Sequence, residues 1–167
     1  MLFRSNLTQV LAKFPYQQPA DIATTLTAME SWNSSEWTSF WDALNQEKSF
    51  TAASYAFTAY VHHAANQETL RKKLAAHITK ALPSTQLPAA KRLQLQQLGL
   101  LGEDRSIKAI SPFLLDPVYC SDASMCIATI GGTNAKKYLQ QAMKKAGPTE
   151  QQSIQAALGY LAYRSPR

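Results

Sequence analysis

The chain has 167 residues, a net charge of +6 and 46% hydrophobic residues, enough to bury one sizeable core or the thin continuous core shared by an array of helical hairpins. No apolar run approaches the ~18 residues needed to cross a bilayer, and the stretch from Met1 to Lys13 lacks the apolar block of an export signal. A soluble chain is expected, one that is a single domain over 1–167 or a piece of a larger multidomain protein; its compartment stays open.

Ten helices are predicted. Four lie near 5–15, 19–32, 35–45 and 49–65 and form divergent N-terminal hairpins. Leu70, Leu74 and Ile78 then stripe a helix over 67–82, and after the loop Pro83 to Pro88 its partner is striped by Leu95, Leu98 and Leu101. Ile107, Ile110, Phe113 and Leu114 mark 104–115, and Tyr119, Ala123, Cys126, Ile127 and Ile130 mark 118–130. The last two helices are 133–146, striped by Ala135, Tyr138, Leu139, Ala142, Met143 and Ala146, and 149–163, striped by Ile154, Ala157, Leu158 and Leu161.

Punctuation supports these bounds. Asp116-Pro117 offers a capping oxygen followed by proline at the first helical position. Thr149 and Gln152 have capping-box spacing after the breaker Gly147-Pro148. Gly102 and the pair Gly131-Gly132 are expected as left-handed stops.

Leu98-Gly99-Leu100-Leu101-Gly102 is echoed by Ile127-Ala128-Thr129-Ile130-Gly131 and by Leu158-Gly159-Tyr160-Leu161-Ala162, at separations of 29 and 31 residues. Recurrence at about thirty residues with helical spacing between copies is the signature of a stacked array whose units cannot bury their apolar faces alone. The expected fold is all-α, a right-handed α-solenoid of about five antiparallel hairpins, clearest over 66–163.

The block from Leu98 through Glu103-Asp104 to Ile107, the turn Leu114-Leu115-Asp116-Pro117, the Ile130-Gly131-Gly132 stop and Ala135-Lys136-Lys137-Tyr138-Leu139 together resemble HEAT-like repeats of the phycobilisome-lyase type. The resemblance covers residues 95–163; Ala128 stands where the block's first glycine is expected, and the first two hairpins lack the block. It implies an armadillo-like superhelix that offers a curved surface to partners, and no reaction. Similar arrays in large bacterial proteins also accompany domains resembling 3-keto-disaccharide hydrolases, so an accessory role in a carbohydrate-active enzyme is an alternative. Nucleic-acid binding, as in HEAT-like alkyl-purine DNA glycosylases, is another.

Catalytic chemistry is not expected. His62 and His63 are adjacent and diverge by about 100° on a helix, and the zinc-protease spacing of two histidines flanking a glutamate is missing. Cys120 and Cys126 sit six residues apart, about 240° around a helix, which suits small apolar packing residues better than a bridge. No phosphate-binding glycine loop or nucleophile elbow is present. Neither cofactor nor metal is expected.

Binding is the remaining class. Trp32, Trp37, Phe40 and Trp41 cluster on the second and third helices, where they fill the gap between hairpins or present an aromatic platform. Charge is uneven: residues 1–66 carry three basic and five acidic side chains, residues 67–167 fourteen and six. Three of the pairs Arg71-Lys72-Lys73, Lys91-Arg92, Lys136-Lys137 and Lys144-Lys145 fall on helices that the resemblance assigns to the outer side, which argues against a phosphate-tracking groove. The inner side is expected to carry Gln94, Gln97, Ser121, Ser124, Gln152 and Gln155, a neutral ladder for a protein partner or an adjacent domain.

Overall fold

The computed structural model describes residues 5–164, with side chains from Leu7 onward; the outermost residues of the expected 1–167 unit lie outside that range. The described residues are all-helical, with no strand. The helices are α1 (Ser5–Ala12), α2 (Pro19–Glu30), α3 (Ser34–Leu44), α4 (Glu47–Ala65), α5 (Glu68–Ala81), α6 (Pro88–Leu101), α7 (Asp104–Ile110), α8 (Cys120–Ile130), α9 (Gly132–Met143) and α10 (Pro148–Arg164). Two short 3-10 segments, Leu82–Ser84 and Ser111–Leu115, follow α5 and α7.

Helix starts follow from local chemistry. Pro19, Pro88 and Pro148 open α2, α6 and α10, where a proline's missing N–H is no loss. A capping box opens α3: Asn33 Oδ1 accepts from the N–H groups of Ser35 and Glu36 at 2.8 and 3.1 Å, and Glu36 Oε2 accepts from the Asn33 N–H at 2.9 Å. Asn45, at the end of α3, accepts from the backbone N–H groups of Gln86 and Leu87 at 2.8 and 2.7 Å, which ties the approach to α6 onto the α3/α4 corner.

Four boundaries differ from expectation. Thr149 lies inside the first turn of α10, because Gly147 already supplies the carbonyl that accepts from Gln151 N–H, so Thr149-Gln152 is not the cap. The predicted helix 104–115 changes from α to 3-10 at Ser111-Pro112, since proline removes the N–H that the α ladder needs. Asp116 caps a turn rather than α8 itself: its Oδ1 accepts from Val118 N–H at 2.8 Å, and α8 begins at Cys120. Gly102 is extended, at φ −65° and ψ 157°, and is no left-handed stop. Gly131 and Gly132 do have positive φ, 80° and 85°, and reverse the chain from α8 into α9.

Packing follows the apolar stripes. α4 packs on α6, α6 on α8 and α8 on α10, while α5 packs on α7 and α7 on α9. α5 also packs on α6, α9 on α10, and the Ser111–Leu115 segment on α8. At the N-terminal end α1, α2 and α3 all gather on α4, around Phe40, Leu44, Phe57 and Val61, which are fully buried. Leu98, Leu101, Ile107, Ile110, Ile127, Leu139 and Ile154 continue one core through the rest of the described chain, each contributing ~1.5–3 kcal/mol relative to exposure.

Two cysteines of α8 belong to this core and form no disulfide. Burial pushes both thiols up from their ordinary pKa, Cys126 far more than Cys120. The Cys120 thiol also reaches Ser124 Oγ and the carbonyl of Glu150, each at 3.7 Å.

Of the glycines in the recurring block, Gly102 is the one that close approach requires. A Cβ on Gly102 would sit 2.8 Å from Ile130 Cδ1 and 2.5 Å from the carbonyl oxygen of Leu98; on Gly99 it would meet Cys126 and Thr129 of α8 at an ordinary 3.5 Å; on Gly159 it would meet nothing. Gly102→Ala is therefore expected to destabilise the fold by ~1–3 kcal/mol, Gly99→Ala to be tolerated, and Gly159→Ala to stabilise by ~0.5–1 kcal/mol through helix propensity. Urea unfolding of the three variants measures the order, and equal costs at Gly102 and Gly159 would refute the packing account.

Candidate functional site

A cleft of about 240 Å³ lies between α3 and α5. From α3 it takes Ser34, Trp37, Trp41 and Asp42, and from α5 it takes His77 and Lys80. Helical spacing explains the wall: residues 34, 37, 38, 41 and 42 fall on one face of α3, and residues 77, 80 and 81 on one face of α5.

An aromatic stack underlies the cleft. The Trp37 ring lies against Trp41 on the same helix, centroids 5.5 Å apart and planes 26° from parallel, and against the His77 imidazole at 5.2 Å and 23°. Edge contacts from Phe40 and a tilted contact from Tyr60 hold Trp37 from the core side. Trp37 is 4% exposed, whereas Trp41 is half-buried, so Trp41 is the ring that a ligand would meet. Trp32 is buried against Trp37 and Phe40 and presents no face to solvent. The three expected platform residues thus divide into a core wedge (Trp32), a floor (Trp37) and an open face (Trp41).

Electrostatically the cleft is mixed. Burial, then Lys73 and Lys80, lower the pKa of His77, which keeps the imidazole neutral at pH 7. Asp42 and Lys80 are exposed and form no ion pair with each other or with any other described residue. The Thr38 and Ser84 hydroxyls donate to the carbonyls of Ser34 and Ala81, both at 2.9 Å, and are left as acceptors.

The expected neutral ladder is mostly interior. Gln94 is fully buried, with Thr85 Oγ1 donating to its Oε1 at 2.9 Å, and Gln97 and Ser124 are also buried. The reason is register: Ala90, Gln94, Gln97, Leu98 and Leu101 form one stripe of α6, so the two glutamines point with the leucines, and Ser124 shares its stripe with Cys120 and Ile127. Ser121, Gln152 and Gln155 are exposed, and the last two line a shallow depression with Met143, Pro148 and Ala156. The six residues do not form one surface.

His77, Asp42 and Lys80 were not among the expected binding residues. A signal existed, since His77, the lone histidine on its helix, stands four residues after Lys73 and three before Lys80; what the sequence cannot supply is the pairing of α3 with α5 that faces it to Trp37.

No family model, curated protein or solved structure matches this chain. Among the described residues no group of three or more His, Cys, Asp and Glu could hold a metal ion, and no helix is long and apolar enough to cross a membrane.

The basic side chains are distributed by layer. The stretches 68–81, 103–110 and 132–145, which carry α5, α7 and α9, hold ten basic and three acidic residues; α4, α6, α8 and α10 hold four and three. The three acids are engaged: Glu68 with Lys72, Glu103 with Arg71 and Arg105 at 3.3 and 3.2 Å, and Asp104 with Asn134. Lys73, Lys80, Lys108, Lys136, Lys137, Lys144 and Lys145 are exposed and without an ion pair among the described residues. Lys91 differs: it is buried, with its ammonium 5.0 Å from the ring centroids of both Phe113 and Tyr119.

The depressed pKa of His77 has a sign. Between its folded value and the ordinary 6.5 the unfolded chain binds more protons, so stability rises with pH through that window; below it both states are protonated and the slope from His77 vanishes. The thermal midpoint is expected to be higher at pH 7.5 than at pH 5.5, and His77→Asn to shrink that difference. Calorimetry at the two pH values decides, and an unchanged difference would remove His77 from the account.

Proposed function

We propose that this chain is a noncatalytic helical-repeat scaffold, an α-solenoid of the HEAT-like kind, that docks an acidic protein partner or an adjacent acidic domain along its α5/α7/α9 side. The observation that carries it is the alternation of packing, in which α6, α8 and α10 follow one another in one row and α5, α7 and α9 in a second. Polar ties repeat with the same step of about thirty residues. Arg71 donates to the carbonyl of Leu101, Asp104 meets Asn134, and the Cys120 thiol donates to the carbonyl of Glu150. Such an arrangement presents side chains on a rigid frame, so little ordering is lost when a partner binds.

The acidic partner is argued from charge. Lysines without internal partners are solvated point charges that attract an anionic surface without demanding planar, bidentate geometry. Lys137 of α9 and Lys144, which caps its C-terminal end, stand seven residues and about 10 Å apart.

In an array stability is a sum of units and nearest-neighbour interfaces, so a chain ending at Gly131 should keep its helix content per residue and unfold in one transition at a lower temperature. Circular dichroism of that truncation tests the architecture; loss of helix throughout would mean one indivisible globule. A labelled glutamate-rich peptide is expected to bind the full chain with an affinity that falls about tenfold when Lys136, Lys137, Lys144 and Lys145 are changed together to Ser. Anisotropy titration reads it. Tighter binding of a mixed-sequence oligonucleotide of equal charge would point instead to nucleic acid.

A further inference from the structure

We propose that the α3/α5 cleft binds a single neutral sugar ring, stacked on Trp41 and held at its rim by Ser34, Asp42, His77 and Lys80. The site lies outside residues 95–163, where the repeat is legible, and does not rest on the scaffold reading.

Three features select this guest. The first is shape: at about 240 Å³ the cleft falls below the roughly 300–1,000 Å³ of clefts that hold drug-sized ligands, which restricts it to one ring. The second is the wall, where Trp41 offers a flat apolar face braced from behind by Trp37, itself backed by His77 on one side and Phe40 on another. A flat guest with an apolar face fits there.

The third is the inventory of unspent polar groups. Asp42 can only accept and Lys80 can only donate, while the Ser34 hydroxyl and the neutral His77 ring can do both. None of these four forms a side-chain hydrogen bond or ion pair within the described residues. The carboxylate and ammonium balance, so the rim favours a neutral guest over an ion, and its mixture of donors and acceptors suits ring hydroxyls, each of which donates and accepts at once. A phosphorylated guest would want clustered cations, and the next lysine along α5, Lys73, is two turns from Lys80.

The test uses the full chain titrated with the methyl glycosides of glucose, galactose and mannose, followed by tryptophan fluorescence and by saturation-transfer NMR. At least one glycoside is expected to saturate in the millimolar range appropriate to a ligand of this size. Asp42→Ala and Lys80→Ala, both exposed and so compatible with folding, should each weaken it at least fivefold with unchanged circular dichroism. Absence of saturation by every glycoside up to about 100 mM, or affinities unmoved in both variants, would overturn the assignment. Saturation by N-acetyltyrosinamide alone would also overturn it and give the cleft to an aromatic side chain of a partner.

Discussion

α8 has an apolar stripe with no solvent side: α6 covers one flank and α10 the other, and the Ser111–Leu115 segment closes the third. Ala123, Ile127 and Ala128 are fully buried there, and their small or β-branched shapes let three helices approach closely. Removing any one neighbour would return a row of hydrocarbon to water at roughly 25 cal/mol per Å². Long-range order in this chain is a succession of such debts between helices two apart in sequence. The hydrogen bonds that Arg71 donates to the Leu101 carbonyl, Asn134 to the Asp104 carboxylate and Arg164 to the Thr129 carbonyl fix the register of the approach more than its strength, since each is partly solvated.

The N-terminal third works differently. α1, α2 and α3 converge on α4, and large rings replace the small residues as the packing unit. Rings at 5–6 Å in edge and stacked arrangements fill space in bigger steps and leave a concavity where the last of them, Trp41, reaches the surface. The cleft is thus a by-product of aromatic packing where the helices gathered on α4 meet α5. Its polar rim consists of the side chains that flank that junction on α3 and α5.

Much of the helical content was legible because each stripe keeps a period of 3.6, and the thirty-residue echo was visible because Leu101, Ile130 and Leu161 occupy matching places near helix ends. All three lie on inward stripes. Which polar residues face outward is not legible from residue type. Gln94 and Gln97 look like surface residues by type, yet each stands four residues before a leucine on the buried side, Leu98 and Leu101, and position outranks polarity there. Boundaries failed where two local signals competed: Pro112 turned a helix into a 3-10 segment, and Asp116 spent its carboxylate on a turn. The α3/α5 cleft was illegible for another reason. It depends on contact between residues forty positions apart, Trp37 and His77, to which no local pattern points.

One trait of α8 reaches beyond packing. Both thiols of the chain are sequestered in the interior and kept in their protonated, unreactive form by the apolar surroundings. Oxidants, electrophiles and soft metal ions meet no accessible thiol on the folded molecule for as long as the helices stay together, and the sulfur that α8 does offer them is the exposed Met125 thioether, which oxidation would turn into a polar sulfoxide.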